Sequence, residues 1–121
     1  MRRRARLNVM GTKRVYVSLA DQIACAHLPA PVAEYRFCAR RFRFDLAWPD
    51  RMLACEVDGA VWTRGRHARG GGISSDCEKF SLAAIHGWRV LRVTTEMVKS
   101  GLALFFVTAA LDADRAPEGT R

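Results

Sequence analysis

Hydrophobic and polar positions alternate most clearly over residues 42–58, F-R-F-D-L-A-W-P-D-R-M-L-A-C-E-V-D. Phe42, Phe44 and Leu46 fall on one side, and Arg43, Asp45 and Ala47 on the other. Leu53, Cys55 and Val57 then alternate with Ala54, Glu56 and Asp58. A period of two over five or more residues predicts half-buried strands. Pro49 cannot take the positive φ of a two-residue type I′ turn, so a four-residue loop from Pro49 to Met52 is expected. That loop sets Trp48 opposite Leu53 and Asp45 opposite Glu56. Opposed residues share a face with Cβ atoms about 5 Å apart. Asp58 falls on the same face, two residues along its strand.

The other elements follow from caps and breaks. Ser18 is a natural N-cap for a helix from Leu19 to about His27, with Asp21 in its first turn and Pro29 and Pro31 beyond it. Val32 to Cys38 reads as a strand that pairs with the 42–47 strand through Ala39-Arg40-Arg41. The S-x-x-E box of Ser75 and Glu78 predicts a helix running to about His86, with Gly87 as its stop. Trp88 to Val93 is a strand, parallel to the acidic one through a right-handed crossover. Thr95 to Lys99 forms a short helical turn, and Ser100 caps a last helix from Gly101 to about Ala113. Residues 59–73, rich in glycine and arginine, read as a loop. They lack the G-K-[ST] ending of a phosphate-binding P-loop. The result is an α/β domain over 15–113 with a mixed four-stranded sheet. A basic arm (1–14) precedes it and a frayed tail (114–121) follows.

Composition narrows the class. Half the residues are hydrophobic and 26% are charged, as in a single globular domain. The net charge is +8. Such a surplus points to a polyanion, nucleic acid before anionic membrane. Arg2, Arg3, Arg4 and Arg6 lie in the arm and account for half of it. Cys25, Cys38, Cys55 and Cys77 show no C-x-x-C spacing, so a zinc ribbon is not indicated. Cys38 and Cys55 are expected as buried free thiols. No secretory leader or membrane-length apolar run is visible, which suggests a cytoplasmic protein without a membrane partner.

Three carboxylates on one sheet face call for a positive partner, because like charges on neighbouring strands repel. Arg43 or a divalent metal would serve. Glu34 sits on the adjacent strand beside a basic edge of Arg40, Arg41 and Arg43. Arg64, Arg66 and Arg69 in the loop suit phosphate contacts. His67 is a phosphate contact, a proton shuttle or a bystander. The apolar C-terminal helix, with Phe105-Phe106 in L-A-L-F-F-V, either closes the core or docks a partner such as a second copy in a homodimer.

The order of elements and the stretch R-F-D-L-A-W-P-D-R-M-L-A-C-E-V-D-G resemble the PD-(D/E)XK nuclease superfamily. The likeness is greatest to its small members of the very-short-patch-repair and phage-encoded types. The matching core runs from about Ser18 to Lys99, and G-W-R-V-L-R-V-T looks like its final core strand. The resemblance implies a restriction-endonuclease-like three-layer core, in the order helix-strand-strand-strand-helix-strand, with an extra C-terminal helix. It implies DNA cleavage with Mg²⁺ or Mn²⁺ held by Asp45 and Glu56, with Glu34 as an upstream acid. It departs at position 58, where Asp58 stands in place of the family's lysine. Three explanations compete. Asp58 binds a second metal, Lys79 on the next helix supplies the cation, or the site is degenerate and the domain only binds nucleic acid.

Overall fold

The computed structural model describes residues 17–59 and 70–115. The elements are α1 (Leu19–Cys25), β1 (Val32–Arg36), β2 (Arg43–Trp48), β3 (Leu53–Asp58), α2 (Gly70–Ile85), β4 (Arg89–Thr94), α3 (Thr95–Ser100) and α4 (Leu102–Arg115). The strands form one mixed sheet in the order β1-β2-β3-β4, antiparallel except for the parallel β3–β4 pair. With four helices among the described residues, this is the α/β class read from the sequence.

Local chemistry explains most boundaries. The Ser18 hydroxyl accepts from the Asp21 amide and starts α1. Pro49 opens a 3-10 turn over Pro49–Arg51, which brings Trp48 opposite Leu53 as expected. Gly87, at φ 87°, takes the left-handed conformation that ends α2 and turns the chain into β4. Thr94 caps α3, and the Ser100 hydroxyl accepts from the Leu102 amide at the start of α4.

Two packed clusters position the sheet. Leu46, Trp48, Leu53, Cys55 and Val93 meet Leu19 and Ile23 of α1, Val98 of α3, and Ala103, Val107 and Leu111 of α4. The alternate residues Ala47 and Ala54 pack with Ala83 of α2, Trp88 and Phe44. Phe37 stacks on Phe44 at 4.2 Å between ring centroids, and Trp88 closes the group 5.1 Å from Phe44. The Trp48 indole N–H, buried with its ring, donates to the Pro29 carbonyl.

Several expectations are corrected. Phe44 does not share a cluster with Leu46; it lies with Ala47, on the α2 side. The β1–β2 register passes from Ala33–Leu46 to Tyr35–Phe44 and skips Glu34 and Asp45. Glu34 has φ 48°, and this left-handed residue breaks the alternation there. Strand β1 ends at Arg36, so Cys38 is a half-buried thiol in the following loop rather than a strand residue. Helix α2 begins at Gly70, ahead of the Ser75 box. The arm, the tail beyond residue 115 and residues 60–69 lie outside the described residues.

Glu34 is exposed, so its backbone conformation is open to a direct test. A left-handed residue with a Cβ is disfavoured by about 1–2 kcal/mol, while glycine lacks that penalty. Glu34→Gly is expected to be more stable than Glu34→Ala by about 1 kcal/mol in chemical denaturation. The reverse order would show that residue 34 is extended in solution.

Candidate active site

Strands β2 and β3 are ladder partners only as far as Leu46–Cys55. Beyond that pair, carboxylates take over the cross-strand hydrogen bonds. The Asp45 amide donates to Glu56 Oε2 at 3.2 Å, and the Val57 amide donates to Asp45 Oδ2 at 2.8 Å. The two acids therefore sit side by side, each accepting from a backbone donor of the other's strand. β3 meanwhile stays paired with β4 along its whole length. The expected juxtaposition of Asp45 and Glu56 is present.

The positive partner comes from α2. Lys79 Nζ donates to Glu56 Oε2 at 3.0 Å, and the two side chains are only 14% and 11% exposed. The ammonium lies 5.8 Å from the Phe44 ring centroid and 5.4 Å from that of Phe80. Both distances are within the range of cation–π attraction. Among the described residues Glu56 is the buried acid, 8% exposed. Burial pushes its carboxyl above the usual carboxylate range, and the charge on Asp45 adds to the rise. The Lys79 hydrogen bond and charge act in the opposite direction without cancelling it.

Asp58 does not join this pair. Its carboxylate is held by Arg92 Nη2 at 3.0 Å, in a bridge whose side chains are 46% and 39% exposed. The parallel register explains the contact, since it sets Arg92 beside Glu56 and Thr94 beside Asp58. Gly59 then closes the E-V-D-G sequence under tight contact. A Cβ there would meet the Thr95 hydroxyl at 2.9 Å, so the α3 N-terminus packs on bare backbone. The expectation of three converging acids is thus reduced to two acids and a lysine. Among the described residues, no group of three or more His, Cys, Asp and Glu side chains could hold a metal.

The other expected positions are less central. Arg43 is exposed at the far end of β2 and pairs in register with Arg36, so Lys79 and Arg92 provide the compensation expected of it. Glu34 is exposed on edge strand β1. Arg40 bridges to Glu78 of α2 at 2.6 Å and lies over Phe42, which ties the β1–β2 loop to the helix. Arg41 is exposed. Arg64, Arg66, His67 and Arg69 lie outside the described residues. The sequence reading did not single out Arg92 as a site residue. Its signal was present in the strand R-V-L-R-V-T, whose second arginine falls level with Glu56 once the parallel register is drawn.

Cys55 lies in β3, next to Glu56. Burial first, then the charges of Asp45, Glu56 and Asp58, push its thiol up to about 12. It is a packing residue and an inert thiol at neutral pH.

The residues present fit a hard divalent cation of the Mg²⁺ kind. Two neighbouring carboxylates offer oxygen donors only, and Mg²⁺ binds through one or two carboxylates with water and phosphate completing its shell. A closed protein cage is not needed for such an ion.

Two outcomes are expected from the Lys79–Glu56 pair. In metal-free protein, Glu56 binds a proton more tightly in the folded than in the unfolded state, so its contribution to stability falls as pH rises through the folded pKa. The melting temperature of Glu56→Gln relative to the parent should therefore rise as pH increases from about 4.5 toward 7. A difference that shrinks over that window would contradict the raised carboxyl. Separately, Lys79→Met should destabilise by about 2–4 kcal/mol, whereas Glu56→Gln with Lys79→Met should recover most of that loss. Urea denaturation of the three variants measures both values.

Compared with known protein families, characterised proteins and solved structures, the chain matches none.

Proposed function

We propose that this protein is a metal-dependent DNA endonuclease with a restriction-endonuclease-like three-layer core. The observation that carries the reading is the position of Lys79. Its ammonium reaches the buried Glu56 carboxylate beside Asp45 from a different element, the place where a catalytic cation is needed when residue 58 is not lysine.

Asp45 and Glu56 would hold Mg²⁺ or Mn²⁺, which when bound supplies an activated water and neutralises charge on the phosphoryl oxygens. The chain's own groups do the rest. The hydrogen bonds from the Val57 and Asp45 amides fix both carboxylates against the sheet before any substrate arrives. Lys79, held against Phe44 and Phe80, orients a water or stabilises developing negative charge at the scissile phosphate. Asp58 is a third carboxylate, at the strand end, kept in place by Arg92. Arg40, Arg41 and the arginines of the 60–69 segment contribute positive charge for the DNA backbone. The surplus of +8 supports the same polyanionic ligand.

One observation favours a second reading, a nucleic-acid-binding module without cleavage. Asp58 stands at the lysine position of the resembled motif and is neutralised by Arg92.

A plasmid-nicking assay with Mg²⁺ or Mn²⁺ separates the two. The parent chain should nick, Asp45→Ala and Glu56→Ala should not, and Lys79→Met should slow nicking by about 10²-fold. Mn²⁺ should raise the melting temperature of the parent but not of Asp45→Ala. Salt-sensitive DNA binding with no nicking and no Mn²⁺ shift would establish the second reading. Equal residual nicking in all variants would mark a contaminant.

A further inference from the structure

Next to the acidic pair, α2 and β4 enclose an open groove of about 590 Å³, lined by Asp76, Cys77, Phe80, Ser81, Ala84 and Arg92. Five of these residues follow one another along a single face of α2, and β4 supplies the sixth. The Arg92 guanidinium carbon lies 4.4 Å from the Phe80 ring centroid. Phe80 is half-buried, and the Arg92 side chain stays 46% exposed. The pair is thus a stacked platform open to solvent.

The platform is continuous with the candidate active site. The Phe80 ring is 5.4 Å from Lys79 Nζ, which is 3.0 Å from Glu56 Oε2. A phosphate near Lys79 would therefore carry a nucleotide within reach of the groove. Asp58 already offsets the charge of Arg92, which suits its guanidinium to stacking more than to clamping a phosphate. Aromatic rings and arginine planes accept the flat face of a base without regard to its identity. A base inside a duplex has both faces covered by its neighbours, so only an unstacked nucleotide offers such a face. Asp76 and Ser81 add polar groups to the lining for the edge of a base. An apolar peptide side chain would also fill such a groove, but the planar Phe80–Arg92 stack and the net charge of +8 favour a nucleotide base of a polyanion.

We propose that this groove is a subsite for the base of an unpaired nucleotide, and that the substrate carries a single-stranded or splayed nucleotide beside the scissile phosphate. The proposal rests on the nuclease reading for the phosphate's position, and its test does not depend on cleavage.

The experiment uses the full chain in EDTA with two DNA probes. One carries 2-aminopurine in a single-stranded tail next to a duplex, and the other carries it inside a fully paired duplex. Binding should quench the tail probe, and the tailed DNA should bind about tenfold more tightly than the paired one. Phe80→Leu should abolish the quenching and the preference, and Phe80→Trp should retain both. Should Phe80→Leu fail to fold, an abasic site in place of the tail nucleotide makes the same subtraction from the ligand. The affinity of the parent chain should then fall to that for paired duplex. Equal affinity for tailed, abasic and paired DNA, or a tail probe that is not quenched, overturns the proposal. Quenching without nicking in Mg²⁺ overturns the nuclease reading and leaves the subsite standing. Nicking of paired DNA without quenching does the reverse.

Discussion

The rest of the site depends on the exchange of hydrogen bonds where β2 and β3 part. A buried amide without a partner is costly, and a sheet that loses its ladder must find other acceptors. Here the acceptors are the carboxylates of Asp45 and Glu56, bound to the Val57 and Asp45 amides. Both acids are thereby built into the sheet. Their placement is a property of the backbone, with little left to side-chain freedom. The same bonds make two adjacent carboxylates tolerable at a point where one of them is 8% exposed.

The backbone donors alone do not remove the cost of burying Glu56, whose carboxyl remains raised. Lys79 offsets part of that cost, and α2 brings it to the correct face. Ala83, one helical turn further along, packs on Ala47 and Ala54, and this contact seats α2 against the sheet. Small residues at 47 and 54 let the helix approach, and Phe44 and Phe80 border the lysine's course. On the proposed nuclease reading, position 58 needs no lysine, because the cation reaches Glu56 through tertiary packing rather than along β3. Asp58 is left free to pair across the parallel ladder with Arg92.

Much of this was legible in the sequence because local signals set it. Pro49 excluded the short turn and so set Trp48 against Leu53, and the same register brings Asp45 within hydrogen-bond reach of Glu56. The Ser18 cap and the Gly87 stop have direct physical causes, and both are present. Lys79 emerged as a candidate only through the family resemblance, as a cation on the helix after the acidic strand. What was not legible arises between strands. The side taken by Phe44 depends on the break shared by Glu34 and Asp45, and a left-handed glutamate leaves no compositional trace. The start of α2 at Gly70 runs against glycine's low helix propensity. The removal of Asp58 from the acidic group follows from Arg92, whose partner is set by the β3–β4 register and not by any motif.

On the proposed reading, the Lys79–Glu56 pair also separates folding from metal binding. Structural metal sites are unfolded without their ion because bare ligands repel and lack partners. In this site the amides and the ammonium already give the acids partners from the chain itself. A cation entering beside Asp45 and Glu56 must compete with Lys79 for a shared carboxylate. On the proposed reading that competition would lower intrinsic metal affinity, and a negatively charged phosphate would shift it back by attracting both the ion and the released ammonium. On the proposed reading, the complete constellation of two acids, a metal and a lysine is stable when DNA is bound. Occupancy of the site by metal is then tied to the arrival of the substrate.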